Sequence, residues 1–404
     1  KRNKSMAKEL KHIPNIRFPE FKNSGEWNKI VLEDILDYEQ PTKYIVESDN
    51  YKEEGTPVLT ANKSIILGYT KELHNIYETL PTIIFDDFTA DSKYIDFPFK
   101  IKSSAIKLLT VKCEREDNLR FIFETIQLIP FEAKEHKRHY ISEFQKQSIY
   151  IPQNPAEQKK IANCLSSLDD YINATQEKIE ILQAHKKGLM QQLLPALGKI
   201  MPQKRLPKFG KSKKWSPYSM EEMFKIRNGY TPSKSNPKFW ENGTIPWFRM
   251  EDIREHGHIL SDSIQHITKE AVKGKGLFPA NSIIVATTAT ISEHALIIVD
   301  SLANQQFTFL TKRKSFDNQI DMKYFYYYMY IIDEWCKQHT NAGGFASVDM
   351  NGFKRLSVSL PSPEEQKEIA ECFTSIDDLI DSTKQKLVML QNHKRGLMQQ
   401  LFPT

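Results

Sequence analysis

The chain has 404 residues, 40% hydrophobic and 26% charged, with a formal net charge of +5, enough for two domains of about 150 residues plus connecting elements. Four cysteines exclude a disulfide scaffold, and without Cys-x-x-Cys or paired Cys/His spacing no metal site is expected. The longest apolar runs, Ile283–Ala286 and Ala295–Val299, have strand length, so no membrane span is expected, and the Lys-rich start lacks a signal-peptide core.

In chain order, Phe18-Pro19-Glu20-Phe21 with Trp27 opens a first segment of short strands and turns. Gly55–Thr60 and Thr82–Phe88 read as strands running into loops, Phe97–Leu109 alternates roughly, and Leu119–Leu128 reads as a short helix. His136-Lys137-Arg138-His139-Tyr140 is a dense basic and aromatic cluster, suited to phosphate contacts and to guanine readout by arginine. After a basic linker at 204–214 the opening recurs as Leu206-Pro207-Lys208-Phe209 with Trp215. Strands follow at Ile245–Phe248, Ser282–Thr288 and Phe307–Thr311, then a helix over Tyr324–Trp335 whose aromatic run is expected in the core. Where the first half has its basic cluster, the second has Asn341-Ala342-Gly343-Gly344-Phe345, whose glycines permit a close backbone approach to a ligand. Both segments read as α+β with mixed sheets.

One segment is written twice. Residues 155–195 and 363–403 align without a gap and share 24 of 41 positions. Each copy starts with proline and acidic residues and gathers lysine and arginine late, which suits a helix and its dipole. Within it the repeated Glu157-Gln158-Lys159 is explained by a first-turn capping role. The apolar spacing alternates four and three: Ile161, Leu165, Leu168, Ile172, Ile179, Leu182, Leu189, Leu193 in one copy, and Ile369, Phe373, Ile376, Ile380, Leu387, Leu390, Leu397, Leu401 in the other. Such a heptad seam requires another helix along a rod of roughly 60 Å. The favoured partner is the other copy, antiparallel within the chain and pseudo-twofold, with Thr175/Thr383 and Lys186/Lys394 fixing register. A homodimeric coiled coil and packing of each helix on its own domain are the alternatives. Free buried thiols are expected at Cys164 and Cys372.

No phosphate-binding loop, serine nucleophile elbow, zinc motif or methyltransferase cofactor turn is present in the sequence. Its motifs resemble those of the specificity subunit of Type I restriction–modification systems, and the resemblance implies a non-catalytic chain with no cofactor. The resemblance rests on Pro155-x-Glu157-Gln158-Lys159 and Pro363-x-Glu365-Gln366-Lys367, the Gly-Leu-Met-Gln-Gln-Leu endings, Arg17-Phe18-Pro19-Glu20-Phe21, Tyr38–Thr42 with Pro57–Thr60, Gly229-x-Thr231-Pro232, and Phe239-Trp240 with Gly243–Trp247. It implies two target recognition domains (1–150 and 198–358), each reading half of a bipartite, asymmetric double-stranded DNA site. The repeated helices (151–197 and 359–404) would set the gap and dock two modification (methyltransferase) subunits, with restriction subunits joining in the cytoplasm. The expected DNA contacts are Gln40, Thr42, Lys43, Tyr44, His136, Lys137 and Arg138 in the first domain. In the second they are Tyr230, Ser233, Lys234, Arg249, Gly343 and Gly344. The alternative is a coiled-coil interaction scaffold without DNA readout.

Overall fold

The structure is a computed structural model describing residues 12–60, 65–112, 115–133, 137–274, 276–341 and 346–403. It divides into two compact units, Lys1–Gln176 with Gln385–Thr404, and Glu177–Lys384. Both boundaries fall inside the repeated helices, which span Pro155–Leu193 and Pro363–Leu401. Each unit thus holds one variable region, the first part of one long helix and the last part of the other.

In the first unit, β1 (Leu36–Glu39), β2 (Thr82–Asp86), β3 (Ser92–Ile95) and β4 (Ile106–Val111) form an antiparallel sheet ordered β1-β4-β2-β3. Its two inner strands are apolar through most of their length and buried on both faces. The helix Leu119–Ile126, capped by the Asn118 side chain, covers one face. A smaller sheet of Ile66–Thr70, Thr56–Leu59 and Lys100–Ile101 packs beside it. Strand Asn28–Val31 pairs antiparallel with Ser148–Ile151 and so brings the end of the variable region back to its start, just before Pro155.

The second unit repeats this plan. Its main sheet contains β5 (Phe224–Asn228), β6 (Ser282–Ala286), β7 (His294–Ile297) and β8 (Phe307–Lys312), ordered β5-β8-β6-β7 with Ile259–Leu260 at the edge. The helix Met322–Gln338 covers it, and Ser216–Ser219 closes on Ser357–Leu360. Tyr324 to Tyr328 are all buried, as their place on this helix predicts, and burial raises the Tyr326 and Tyr327 hydroxyl pKa values.

The helix seam has the expected apolar face. Ile161, Leu165, Ile179, Leu193, Ile369, Phe373, Ile380 and Leu401 are buried, and Leu168, Ile172, Leu182, Leu189, Ile376, Leu387, Leu390 and Leu397 are half-buried. Within each unit the two helix portions run antiparallel. In the first, Ile161 and Leu165 share a core with Met398 and Leu401, while Asp169 meets Lys394. In the second, Leu193 shares a core with Ile369 and Phe373, while Lys186 meets Asp377. Register is fixed by these ion pairs. Thr175 and Thr383 are buried but donate back to the carbonyls of Tyr171 and Leu379, at 2.7 and 2.6 Å, within their own helices, so the expected role for threonine is not the one observed. Cys164 and Cys372 are half-buried rather than buried, and Cys113 lies outside the described residues.

Candidate nucleic-acid interface

The repeated Glu-Gln pair anchors each variable region. Glu157 is fully buried and takes a forked pair of hydrogen bonds from Arg17 at 2.6 and 2.7 Å. Glu365 takes the same fork from Arg205 at 2.9 and 2.5 Å. Contact with glutamate raises the Arg205 pKa. The neighbouring glutamines hold the domain helices at their starts. Gln158 accepts from the backbone N–H of Asn118, and Gln366 from that of Asp321, both at 2.9 Å; these two residues cap Leu119–Ile126 and Met322–Gln338. The motif therefore joins three segments, which corrects the first-turn capping role expected of it.

At the far end of the main sheet in the first unit lies a buried charged cluster. Lys107, on β4, places its ammonium 3.0 Å from Asp87 Oδ2 and 3.1 Å from Gln40 Oε1. Asp87 Oδ1 accepts from the Tyr140 N–H and its carbonyl from the His139 N–H, both at 2.8 Å. Lys107 and Asp87 are about 1% and 2% exposed. The two sequence-predicted contact segments, around Gln40 and around Arg138, are thus tied to one buried pair.

Gln40, Thr42, Lys43, Lys137 and Arg138 are exposed. Lys43 leans on Glu39 at 3.1 Å, and its hydrogen bonds to Tyr44 and then to Glu39 raise its pKa. Tyr44 is a correction: it is buried, its hydroxyl donates to Glu39 at 2.9 Å, and it packs edge-on against Tyr77, so its ring is not offered to a ligand. His139 and Tyr140 are likewise core residues, so the basic cluster divides into an exposed front and a buried root. His136, Gly343 and Gly344 lie outside the described residues. One neighbour lacked a sequence signal. Phe88 is 43% exposed, stands beside the Arg138 guanidinium with 6.0 Å to its ring centre, and is held by Asp86, whose carboxylate accepts from the N–H groups of Phe88 and Thr89.

The second unit has a neutral counterpart. Thr287 Oγ1 lies 2.9 Å from Thr308 Oγ1, and Thr308 donates to Asn228 Oδ1 at 2.9 Å. Thr287 also receives the Val348 N–H at 2.9 Å. The register makes the two clusters equivalent: Phe85 faces Lys107 across the ladder, and Val285 faces Thr308. Next along, a Cβ on Gly229 would lie 2.3 Å from the Ala303 carbonyl oxygen, so only glycine fits. Tyr230, Ser233 and Arg249 converge on two indoles. Trp247 donates to the Tyr230 carbonyl, Trp240 donates to the Ser233 carbonyl, and the Arg249 guanidinium lies 5.8 Å from the Trp247 ring centre. The Tyr230 hydroxyl is taken up by the Lys273 N–H at 2.7 Å, which orients its ring. Ser233 and Lys234 are exposed and Arg249 half-buried. The amide run Asn304-Gln305-Gln306, leading into β8, was passed over in the sequence although its residue types suit adenine edges; Gln305 is exposed there.

Among the described residues no group of three or more His, Cys, Asp or Glu side chains is placed to hold a metal, and no helix is long and apolar enough to cross a membrane. The arrangement offers amides, hydroxyls, aromatic edges and cations on turns held from beneath, a chemistry of recognition.

The family model of the Type I restriction modification DNA specificity domain matches residues 24–183 and 212–392. The chain belongs to this family. Specificity chains of Type I systems recognise DNA and are not themselves catalytic. Across 382 residues, 90% of this chain and 89% of the relative, it is 34% identical to the Type I restriction enzyme EcoR124I/EcoR124II specificity subunit of Escherichia coli. It is 48% identical over 167 residues, 41% of either chain, to the EcoprrI specificity subunit of the same organism. The fold is that of the Type I restriction–modification S subunit from M. genitalium, with a TM-score of 0.61 at 15% identity over 97% of this chain and 99% of that one.

Proposed function

We propose that the two variable regions (about 1–150 and 198–358) are readers, each recognising one half of a bipartite, asymmetric DNA site. The repeated helical segments (151–197 and 359–404) set the gap between half-sites and dock two modification subunits, which a restriction subunit joins in the cytoplasm. Duplex DNA is the ligand, and the chemistry, adenine methylation on a flipped base, belongs to the partners. The observation that carries this reading is the same frame built twice beneath two unlike sets of contact turns: the Arg–Glu and Gln anchors recur, while Lys107–Asp87 gives way to Thr308–Thr287. Gln40, Thr42, Lys43, His136, Lys137 and Arg138 serve the first half-site, and Tyr230, Ser233, Lys234, Arg249 and the glycines Gly343 and Gly344 the second.

Sequencing methylated adenines in cells that carry this chain with its methyltransferase tests the reading. A split, non-palindromic motif modified in both halves is expected; a contiguous or palindromic motif, or none, overturns it. Arg138→Ala refines it. Guanine readout predicts a loss of about 1–3 kcal/mol confined to one base position. Phosphate contact predicts a uniform loss and a salt slope smaller by about one. Unchanged affinity and slope remove Arg138 from the interface.

A further inference from the structure

We infer that Lys107–Asp87–Gln40 in the first unit and Thr308–Thr287–Asn228 in the second are positioning clusters that set sequence discrimination at their own half-sites. The inference rests on the half-site reading above and deepens it.

Three observations carry it. The clusters occupy equivalent ladder positions although their chemistry differs, an ammonium–carboxylate pair in one and two hydroxyls in the other. Their central residues are buried, Lys107 and Asp87 at 1% and 2% exposed and Thr308 at 0%, so they act through what they hold. Each also ties the same three segments. These are the end of the sheet's first strand and the turn it enters (Asn228, Gln40), the turn after its central strand (Asp87, Thr287), and the segment leading to the closing strand. That last segment is held by the His139 N–H to Asp87 and the Val348 N–H to Thr287. In the first unit these segments carry Thr42, Lys43, Phe88, Lys137 and Arg138.

Hydrogen bonds to base edges demand side chains fixed within a fraction of an ångström, whereas phosphate contacts tolerate drift. Loosening a cluster should therefore cost discrimination at one half-site and leave the salt slope intact, because no phosphate contact is removed.

The test uses the full chain assembled with its methyltransferase subunits, and duplexes carrying the intact site, a scrambled first half or a scrambled second half. Asp87→Asn is expected to lower discrimination against the scrambled first half at least tenfold, with the second half and the salt slope unchanged. Thr308→Val, a near-isosteric change that keeps the fold testable if Asp87→Asn does not yield stable protein, is expected to lower discrimination at the second half about threefold or more. Thr308→Ser, which keeps the hydroxyl, should retain it. Equal losses at both halves, or no loss from Thr308→Val, overturn the inference while the half-site reading stands. A wild-type assembly that prefers no split site overturns both.

Discussion

In the first unit the repeated lysine, Lys394, bonds Asp169 at 2.7 and 2.8 Å and has Glu124 of the variable region within 3.1 Å, while Arg120 also reaches Asp169. In the second unit its counterpart Lys186 bonds Asp377 at 2.6 and 2.8 Å beneath the rings of Tyr327 and Tyr330, and the Tyr327 hydroxyl donates to Asp377 at 2.8 Å. The rod supplies the same lysine and aspartate each time. The variable regions complete the cluster with charge in one case and with aromatic faces in the other. A repeated frame thus fixes what its guest must satisfy without fixing how, and divergent sequences can sit on closely similar helices.

The largest effect should come where the two units agree. Glu157→Ala and Glu365→Ala each strand an arginine, 6% and 10% exposed in its side chain, and each should lower unfolding free energy by about 3–5 kcal/mol. Denaturant titration measures both, and a cost in only one unit would break the equivalence of the anchors. A smaller and unequal effect is expected at the rod. Asp377→Asn leaves Lys186 without a carboxylate and should cost about 2 kcal/mol. Asp169→Asn leaves Lys394 and Arg120 with Glu124 and should cost about 1 kcal/mol. Equal thermal shifts would show that Glu124 does not substitute.

The smallest effect contrasts two equivalent turns. Ser219 and Glu222 form a capping box, whereas Val31 in the first unit caps without a side-chain bond. Hydrogen bonds from the Ser219 backbone N–H and then its hydroxyl lower the Glu222 pKa. A depressed carboxyl pKa stabilises above the unfolded value, and that contribution is withdrawn as pH falls through the folded one. Ser219→Ala should therefore destabilise near neutral pH, and the difference from wild type should shrink on acidification through pH 4.5 and below. A pH-independent difference would assign the effect to the bond that the hydroxyl accepts from the Glu222 N–H rather than to the one it donates to the carboxylate.

Much of the fold was legible in the sequence because it is periodic. The helix limits, the seam and the strands at Thr82, Ser282 and Phe307 follow from apolar spacing. The anchors were visible as a repeat but not as contacts, because Arg17 and Glu157 stand 140 residues apart. Lys107 and Asp87 were opaque for a related reason: a lysine in an apolar strand and an aspartate at its neighbour's end acquire meaning only when the sheet sets them side by side. Tyr44 shows the converse error, since a polar tip in a turn motif looked exposed while its ring is packed against Tyr77 and its hydroxyl is taken by Glu39.

The anchors also specify a graft. A replacement reader needs an arginine before its opening strand, a backbone N–H at the start of its sheet-covering helix, and a closing strand that returns to Pro155 or Pro363. An insert meeting those three demands would plug into either socket, whatever surface it displays.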